Sequence, residues 1–305
     1  MAGGDDLGSD DEYLFEGGLI DTDNKGTALS SDDESVSSNE VRSHKRKAEE
    51  GVTSSKKRTK KSVPTNSKSV LIHAGRGIAS DSPENQAKFL DTIYSHATKL
   101  AESLEPTGES EKDDSQFSFA SCIYSTKQVV DEKTKQFQHS NLAAFIKSGP
   151  LPSNKRLKNW KHAKSPMVLV VTLSARRSVD LMKQLSSLKL PIAKLFAKHK
   201  QVEQQAEMLN DGVYNSGTKK RLYSLAVGTP GRLLKLLRHE SDGEQGTGAL
   251  RLNHTELVVI DTQLDSKGYN VLTLNDTTRD MMEFLREGFV PQQKSKKRSC
   301  KLALF

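Results

Sequence analysis

The amino-acid sequence predicts an α/β domain with a mainly parallel sheet, preceded by a disordered N-terminal tail. Three observations carry that expectation. Apolar runs at Val168 to Leu173, Leu222 to Val227 and Leu257 to Asp261 alternate with stretches of helical periodicity, the order that strand-helix-strand units produce. The first run is almost continuously apolar, as a parallel strand covered on both faces is. Residues 1–40 hold twelve acidic side chains against Lys25 alone, with too few apolar groups to offset the entropy of ordering.

Composition sets the outer limits. With 34% hydrophobic and 28% charged residues among 305, a substantial part of the chain is expected to stay unpacked. Residues 1–67 are assigned to that tail and 68–305 to the domain. The formal charge of +7 is made of −11 on residues 1–40 and +7 on residues 41–61, which leaves +11 on the rest. The body is therefore basic in its own right. This suits a nucleic-acid partner, although an excess of solvated lysines produces the same value. Cys122 and Cys300 are too few for a disulfide framework or a thiolate cage, and the eight histidines lack the paired spacings of zinc sites. No metal and no cofactor are expected, and a reducing compartment fits. No run approaches the roughly 18 apolar residues of a membrane span, and the acidic start lacks the layout of a secretory signal. The protein is expected to be soluble inside the cell.

In chain order, Ser9-Asp10-Asp11-Glu12 and Ser30-Ser31-Asp32-Asp33-Glu34 set hydroxyls before acidic triplets, a pattern similar to acidophilic kinase sites and equally compatible with solvated filler. Lys45-Arg46-Lys47 and Lys56-Lys57-Arg58-Thr59-Lys60-Lys61 look like a bipartite nuclear import signal for an import receptor, and the same exposed charge serves nonspecific phosphate binding. Val70-Leu71-Ile72-His73 reads as a strand, and Gly75-Arg76-Gly77 as the turn after it. A dinucleotide fingerprint would need glycine where Ser80 stands. Ser82-Pro83 opens a helix whose Phe89, Leu90, Ile93, Tyr94, Ala97, Leu100 and Leu104 recur at helical spacing until Pro106. Residues 107–116 read as a polar loop, Phe117 to Tyr124 as a short strand, and Ser140 to Lys147 as a helix stopped by Gly149-Pro150.

Lys155 to His162 sets basic groups around Trp160, the single tryptophan. Such a segment can stack bases and hold phosphates, or anchor a core between solvated lysines. After the run at 168–173, a helix is expected to present Val179, Leu181, Met182, Leu185 and Leu188 to the sheet. A second helix spans roughly Gln201 to Leu209. The Leu222 to Val227 strand then meets Thr229-Pro230-Gly231-Arg232. There Thr229 is expected to cap a helix with Pro230 at its first position, so that free amides and the Arg232 guanidinium face one anion. An ordinary strand-to-helix corner is the plainer reading. Asp276 or Thr277 is expected to cap a helix carrying Met281, Met282, Phe284 and Leu285, and Cys300 to Phe305 reads as a last strand.

The order and spacing of three of these positions resemble the first RecA-like domain of DEAD-box RNA helicases. In that family a strand ending in Pro-Thr-Arg-Glu, then Thr-Pro-Gly-Arg, then a strand ending in Asp-Glu-Ala-Asp follow one another. Here the positions read Ser174-Ala175-Arg176-Arg177, Thr229-Pro230-Gly231-Arg232 and Asp261-Thr262-Gln263-Leu264, so only the middle motif is intact. The acidic tail and the Lys194-Leu195-Phe196-Ala197-Lys198-His199 segment resemble the Cms-one family of DEAD-box-like proteins associated with small-subunit pre-ribosomes. The resemblance is best over residues 165–305.

It implies one degenerate RecA-like half and a nuclear, nucleolar scaffold that binds pre-rRNA beside pre-ribosomal proteins. It also assigns Arg176, Thr229, Gly231 and Arg232 to RNA phosphates. A P-loop needs wrapping glycines, a lysine and then a hydroxyl. No such run precedes Ser174, and the nearest imitation, Gly212 to Lys219, ends in Thr218-Lys219 and precedes a strand. Thr262 stands where the resembled enzymes place the acid that positions water, and the chain ends before the Ser-Ala-Thr motif. No catalytic residues are therefore assigned. A DNA or chromatin factor using the same basic surface, and an atypical helicase or ATPase, stay as alternatives, because phosphate contacts alone do not distinguish RNA from DNA.

Overall fold

The computed structural model describes residues 67–104, 117–124, 141–148, 154–197, 200–214, 220–239, 248–294 and 300–305. The chain divides into two units, 1–61 and 62–305, and every described residue belongs to the second. The acidic tail, both basic clusters and the 107–116 loop lie outside the described residues.

The described elements run α1 Ser67–Ala74, α2 Pro83–Leu104, α3 Leu142–Ser148, α4 Asn154–Lys158, β1 Val168–Val171, α5 Ala175–Leu185, β2 Ile192–Leu195 and α6 Val202–Asp211. There follow β3 Val213–Tyr214, β4 Lys220–Arg221, β5 Leu225–Gly228, α7 Pro230–Arg238, β6 Leu257–Ile260, α8 Asn275–Phe284, α9 Val290–Lys294 and β7 Lys301–Leu304.

Five strands form one all-parallel sheet in the order β2-β5-β1-β6-β7. Val168 pairs with Leu225 on one side and Leu257 on the other. Because both faces are covered, β1, β5 and β6 are wholly buried, which explains their unbroken apolar runs. On one face Leu169, Val171, Val258 and Ile260 meet α2, α6, α7 and α8 through Leu90, Leu209, Leu233 and Met281. On the other, Val168, Val170, Val227 and Val259 meet α3 and α5 through Phe145, Ile146, Leu181 and Leu185.

Both edges of the sheet are closed. At β2, the buried Gln205 of α6 donates its amide to the carbonyls of Lys194 and Phe196, at 2.9 and 3.0 Å. At β7, the Leu302 amide donates to Cys122 O at 2.9 Å and Tyr124 N donates to Leu302 O at 2.7 Å. Residues 122–124 thus lie alongside β7, with a parallel bridge between Ile123 and Leu302. Unpaired edges invite pairing with other chains, and here side chain and stub occupy them.

Several expectations are corrected. Val70 to His73 lies in helix α1, which runs into Gly75, whose amide donates to Leu71 O. Leu71 packs on the core, and this short run carries no period-2 alternation to hold a strand. Gly75 is placed against Thr273, where a side chain would collide. The expected strand at 117–124 reduces to a 3₁₀ turn at Phe119–Ser121 and the single bridge. Val179 is 40% exposed. Ser178 takes the inward position instead, its hydroxyl 2.6 Å from that of Thr172, and one helical step of about 100° carries Val179 outward. Helix α8 starts earlier than expected, with Leu274, whose apolar side chain cannot cap, at its cap position; Thr277 and Thr278 lie inside the helix and donate their hydroxyls to Leu274 O. A π-turn, Leu285–Phe289, joins α8 to α9. It precedes Pro291, which has no amide to donate and whose ring crowds the preceding turn. Gly212 ends α6 at φ +72°, followed by the β3–β4 hairpin, so the described part of the P-loop imitation is a helix end and a strand.

Candidate nucleic-acid interface

In a parallel sheet every strand delivers its chain to the same end, and open α/β folds gather ligand contacts there. At this C-terminal edge Thr172 follows β1, Thr229 follows β5 and Asp261 follows β6. They are knitted by Thr172 N to Gly228 O at 2.9 Å, Thr229 N to Leu195 O at 3.2 Å and Asp261 N to Val171 O at 2.9 Å. The register of β1 and β5, with Val171 opposite Gly228, brings the segments carrying Arg176, Thr229, Gly231 and Arg232 to neighbouring positions on one edge.

Arg176 lies in the first turn of α5 and is exposed. The Ser174 hydroxyl caps that helix, accepting from Arg177 N at 3.3 Å. Thr229 occupies the cap position of α7 with extended backbone, but its side chain makes no capping bond. The physical reason is local. Arg232 N and Leu233 N both donate to the Thr229 carbonyl, at 3.1 and 3.0 Å, and Pro230 has no amide. Gly231 is therefore the position in this turn whose amide remains to meet an anion, a smaller cradle than the sequence suggested. A Cβ on Gly231 would stand 2.5 Å from Asp280 Oδ2, so an acid from α8 lies beside the same turn. Burial, then the neighbouring Glu283, pushes the Asp280 carboxyl above its ordinary range. Arg232 is half-buried, and among the described residues its Nη1 is buried without a hydrogen-bond partner.

The residue that the sequence reading passed over is Arg177. Its Nε and Nη2 donate to the two carboxylate oxygens of Asp261 at 2.8 and 2.9 Å, a two-pronged pair with side chains 20% and 1% exposed. Burial raises the Asp261 carboxyl, and the guanidinium opposes that rise. Asp261 is the acid retained from the third motif, and a fixed cation of the chain itself engages it. Thr262, the next position, donates its hydroxyl to Phe305 O at 3.0 Å and serves the β6–β7 join. Nothing local signals the pair, because its members are 84 positions apart.

The Lys155–His162 segment lies at the other end of β1. There the Trp160 indole N–H donates to Ser165 O at 2.8 Å, Leu157 is buried, and Arg156 pairs with Glu256. Cys122 and Cys300 are buried and unbridged. Burial pushes the Cys122 thiol up to about 12 and that of Cys300 higher still, so neither is a thiolate nucleophile near neutral pH.

Residues 28–305 match the family described as CMS1, U3-containing 90S pre-ribosomal complex subunit. The chain is 28% identical to Protein CMSS1 of Danio rerio over 226 residues, covering 73% of this chain and 65% of that protein. It is 30% identical over 149 residues to Protein CMS1 of Chaetomium thermophilum, covering 48% and 53%. Against Protein CMSS1 of Homo sapiens it is 29% identical over 176 residues, covering 57% and 56%. It thus spans between 53% and 65% of the length of these relatives. Among solved structures it is similar to a DEAD box protein from the hyperthermophile Methanococcus jannaschii, with 17% identity and a TM-score of 0.35, over 53% of this chain and 36% of that one.

Proposed function

The chain belongs to the CMS1 family, described as a subunit of the U3-containing 90S pre-ribosomal complex, and from that premise we propose that it is a non-catalytic, RNA-binding scaffold of small-subunit assembly. It works in the nucleus and nucleolus, on pre-rRNA and beside pre-ribosomal proteins. The observation that carries the non-catalytic part is the Arg177–Asp261 pair. An acid that is to hold a magnesium ion or position water must keep its oxygens available. Both oxygens of Asp261 are already engaged at 2.8 and 2.9 Å, and Thr262 follows in place of a second acid. The same edge presents Arg176, exposed, and Arg232, half-buried. Two guanidiniums and the Gly231 amide suit phosphate oxygens, which carry no sequence information.

Titration of single-stranded RNA against salt tests this reading. Affinity falls with salt, and the Arg176→Ala, Arg232→Ala double variant loses about 1.4 from the log-log slope, since each single-strand phosphate contact contributes about 0.7. An unchanged slope and affinity in the double variant removes these residues from the interface. RNA-stimulated ATP turnover that survives repurification overturns the non-catalytic assignment. Duplex DNA that competes as well as RNA turns the reading toward a chromatin factor.

A further inference from the structure

The end of the sheet opposite that edge is the more uniformly basic of the two. Residues 154–167, which lead into β1, include five cations and no acid, and the segments leading into β2 and β5 add Lys189 and Arg221. Among the described residues, the segment entering β6 contributes Arg251 and one acid, Glu256, which Arg156 already engages. Asp211 ends α6, and Glu287, paired with Arg238, lines a hollow with Arg251 and Asn253. The strand order β2-β5-β1-β6 sets these cations in a row along the N-terminal rim. The C-terminal edge, by contrast, mixes signs, with Asp261, Asp265 and Asp280 among its arginines.

Two further features lie on this rim. Among the described residues the non-glycine positions with positive φ are Lys164, at 60°, and Lys189, at 52°, a conformation that side chains rarely adopt. The first is held by Lys164 N to Leu209 O at 3.1 Å and by Arg251 N to Lys164 O at 2.8 Å. The second feature is a ring platform. His162 stacks on His254 with centroids 3.7 Å apart and planes 13° apart, and meets Trp160 edge-on at 4.9 Å. All three rings are partly exposed, and the exposed Lys155, Lys158 and Lys161 flank them.

We infer that this rim is a second RNA-binding surface, which holds the phosphate backbone of a single strand on its lysines and rests bases against the His162–His254–Trp160 platform. The inference rests on the reading of the protein as an RNA scaffold and adds a site at the opposite pole of the sheet. Lysines alone suit any polyanion, an acidic peptide included. The flat rings between them select for a ligand that has faces to stack as well as charges to pair. Strands gripped at both poles would run across the domain, the behaviour of a clamp and not of a single docking point.

Trp160 is the single tryptophan and sits within the proposed site, so its emission reports on this surface. Adding a short oligouridylate to the full chain quenches Trp160 in the unsubstituted protein and equally in the Arg176→Ala, Arg232→Ala variant. Replacing Lys155, Lys158 and Lys161 together by Gln abolishes the quench and removes about 2 from the salt slope, at about 0.7 per contact. Replacing the same three by Arg preserves both, which separates lost charge from damaged fold. If labelled oligouridylate binds the full chain while Trp160 emission stays unchanged, or if the Gln variant quenches normally, this surface is overturned and the C-terminal edge stands. If the labelled RNA does not bind at all, the RNA reading itself falls. If emission instead changes on removing residues 1–40, with no response to RNA, the acidic tail is the occupant and the inference is wrong.

Discussion

Replacing Arg177 by Ala leaves the Asp261 carboxylate, 1% exposed, without its cation. Removing one partner of a buried ion pair costs about 3–5 kcal/mol, because the remaining charge loses both water and partner. The Arg177 side chain is itself 20% exposed, so some water reaches the site and the lower end, about 3 kcal/mol, is expected. For a domain of this size each kcal/mol moves the midpoint by about 2–4 °C, so Tm falls by about 6–12 °C. The assay is urea and thermal unfolding at pH 7 and pH 5, followed by circular dichroism. Since the folded pKa of Asp261 is raised, the stability it contributes is full below its unfolded value and is lost as pH rises through the folded one. Losing Arg177 raises the folded value further, so the deficit of the variant narrows at pH 5. A double change, Arg177→Met with Asp261→Asn, recovers most of the loss, because no charge is then left unpaired. A loss below about 1 kcal/mol, or a double variant no more stable than Arg177→Ala, refutes the argument that the pair is a coupled, desolvated unit.

Gly228→Ala brings a Cβ to 2.6 Å from Leu195 O and 2.7 Å from Leu233 Cδ2 and is expected to cost about 1–3 kcal/mol in urea unfolding; a neutral result means that the β2–β5 strands separate easily. Ser82→Ala removes the hydroxyl that accepts from Asn85 N at the start of α2, and a loss of about 1 kcal/mol is expected by the same measurement. Adding Mg-ATP is expected to leave Tm unchanged, since Arg177 occupies Asp261; a concentration-dependent rise shows binding. Deleting residues 45–61 from a fusion to a reporter too large for passive entry is expected to leave it cytoplasmic, and a nuclear signal places the import determinant elsewhere.

Burial leaves a legible pattern in parts of this sequence. β1, β5 and β6 are covered on both faces, so every position is apolar and the run is visible; α2 repeats Phe89, Leu90, Ile93 and Tyr94 at helical spacing because one stripe faces the core. β2 went unrecognised as a strand because it is an edge: Lys194 is exposed and Ile192 only half-buried, which leaves Ala193 and Leu195 as its inward signal. Position 229 was legible as a corner, since Pro230 and an extended residue before it are local choices. The fate of its hydroxyl was not, because the Thr229 carbonyl accepts both amides that follow. For Arg177 the limit was of another kind. Its motif was visible, but its partner is fixed by the β1–β6 pairing, and strand order is a property of the whole sheet.

The stub at residues 122–124 has a consequence for how the chain reaches its fold. Its anchor is β7, and the backbone carbonyl of Ser121 receives the Lys301 ammonium from 180 positions away. Closing so long a loop is entropically costly before any contact rewards it, and non-local pairing of this sort slows folding. Phe119, fully buried in the finished domain, meets Tyr94 and Phe289, both made before β7, so it is the backbone pairing of residues 122–124 that waits for that strand. A nascent chain therefore carries residues 122–124 through most of its synthesis with their pairing strand not yet made. Such a segment is a hazard for misassociation and a natural substrate for a holding chaperone. Pulse-labelled translation intermediates that stop short of residue 300 should be captured by such chaperones far more than the completed chain.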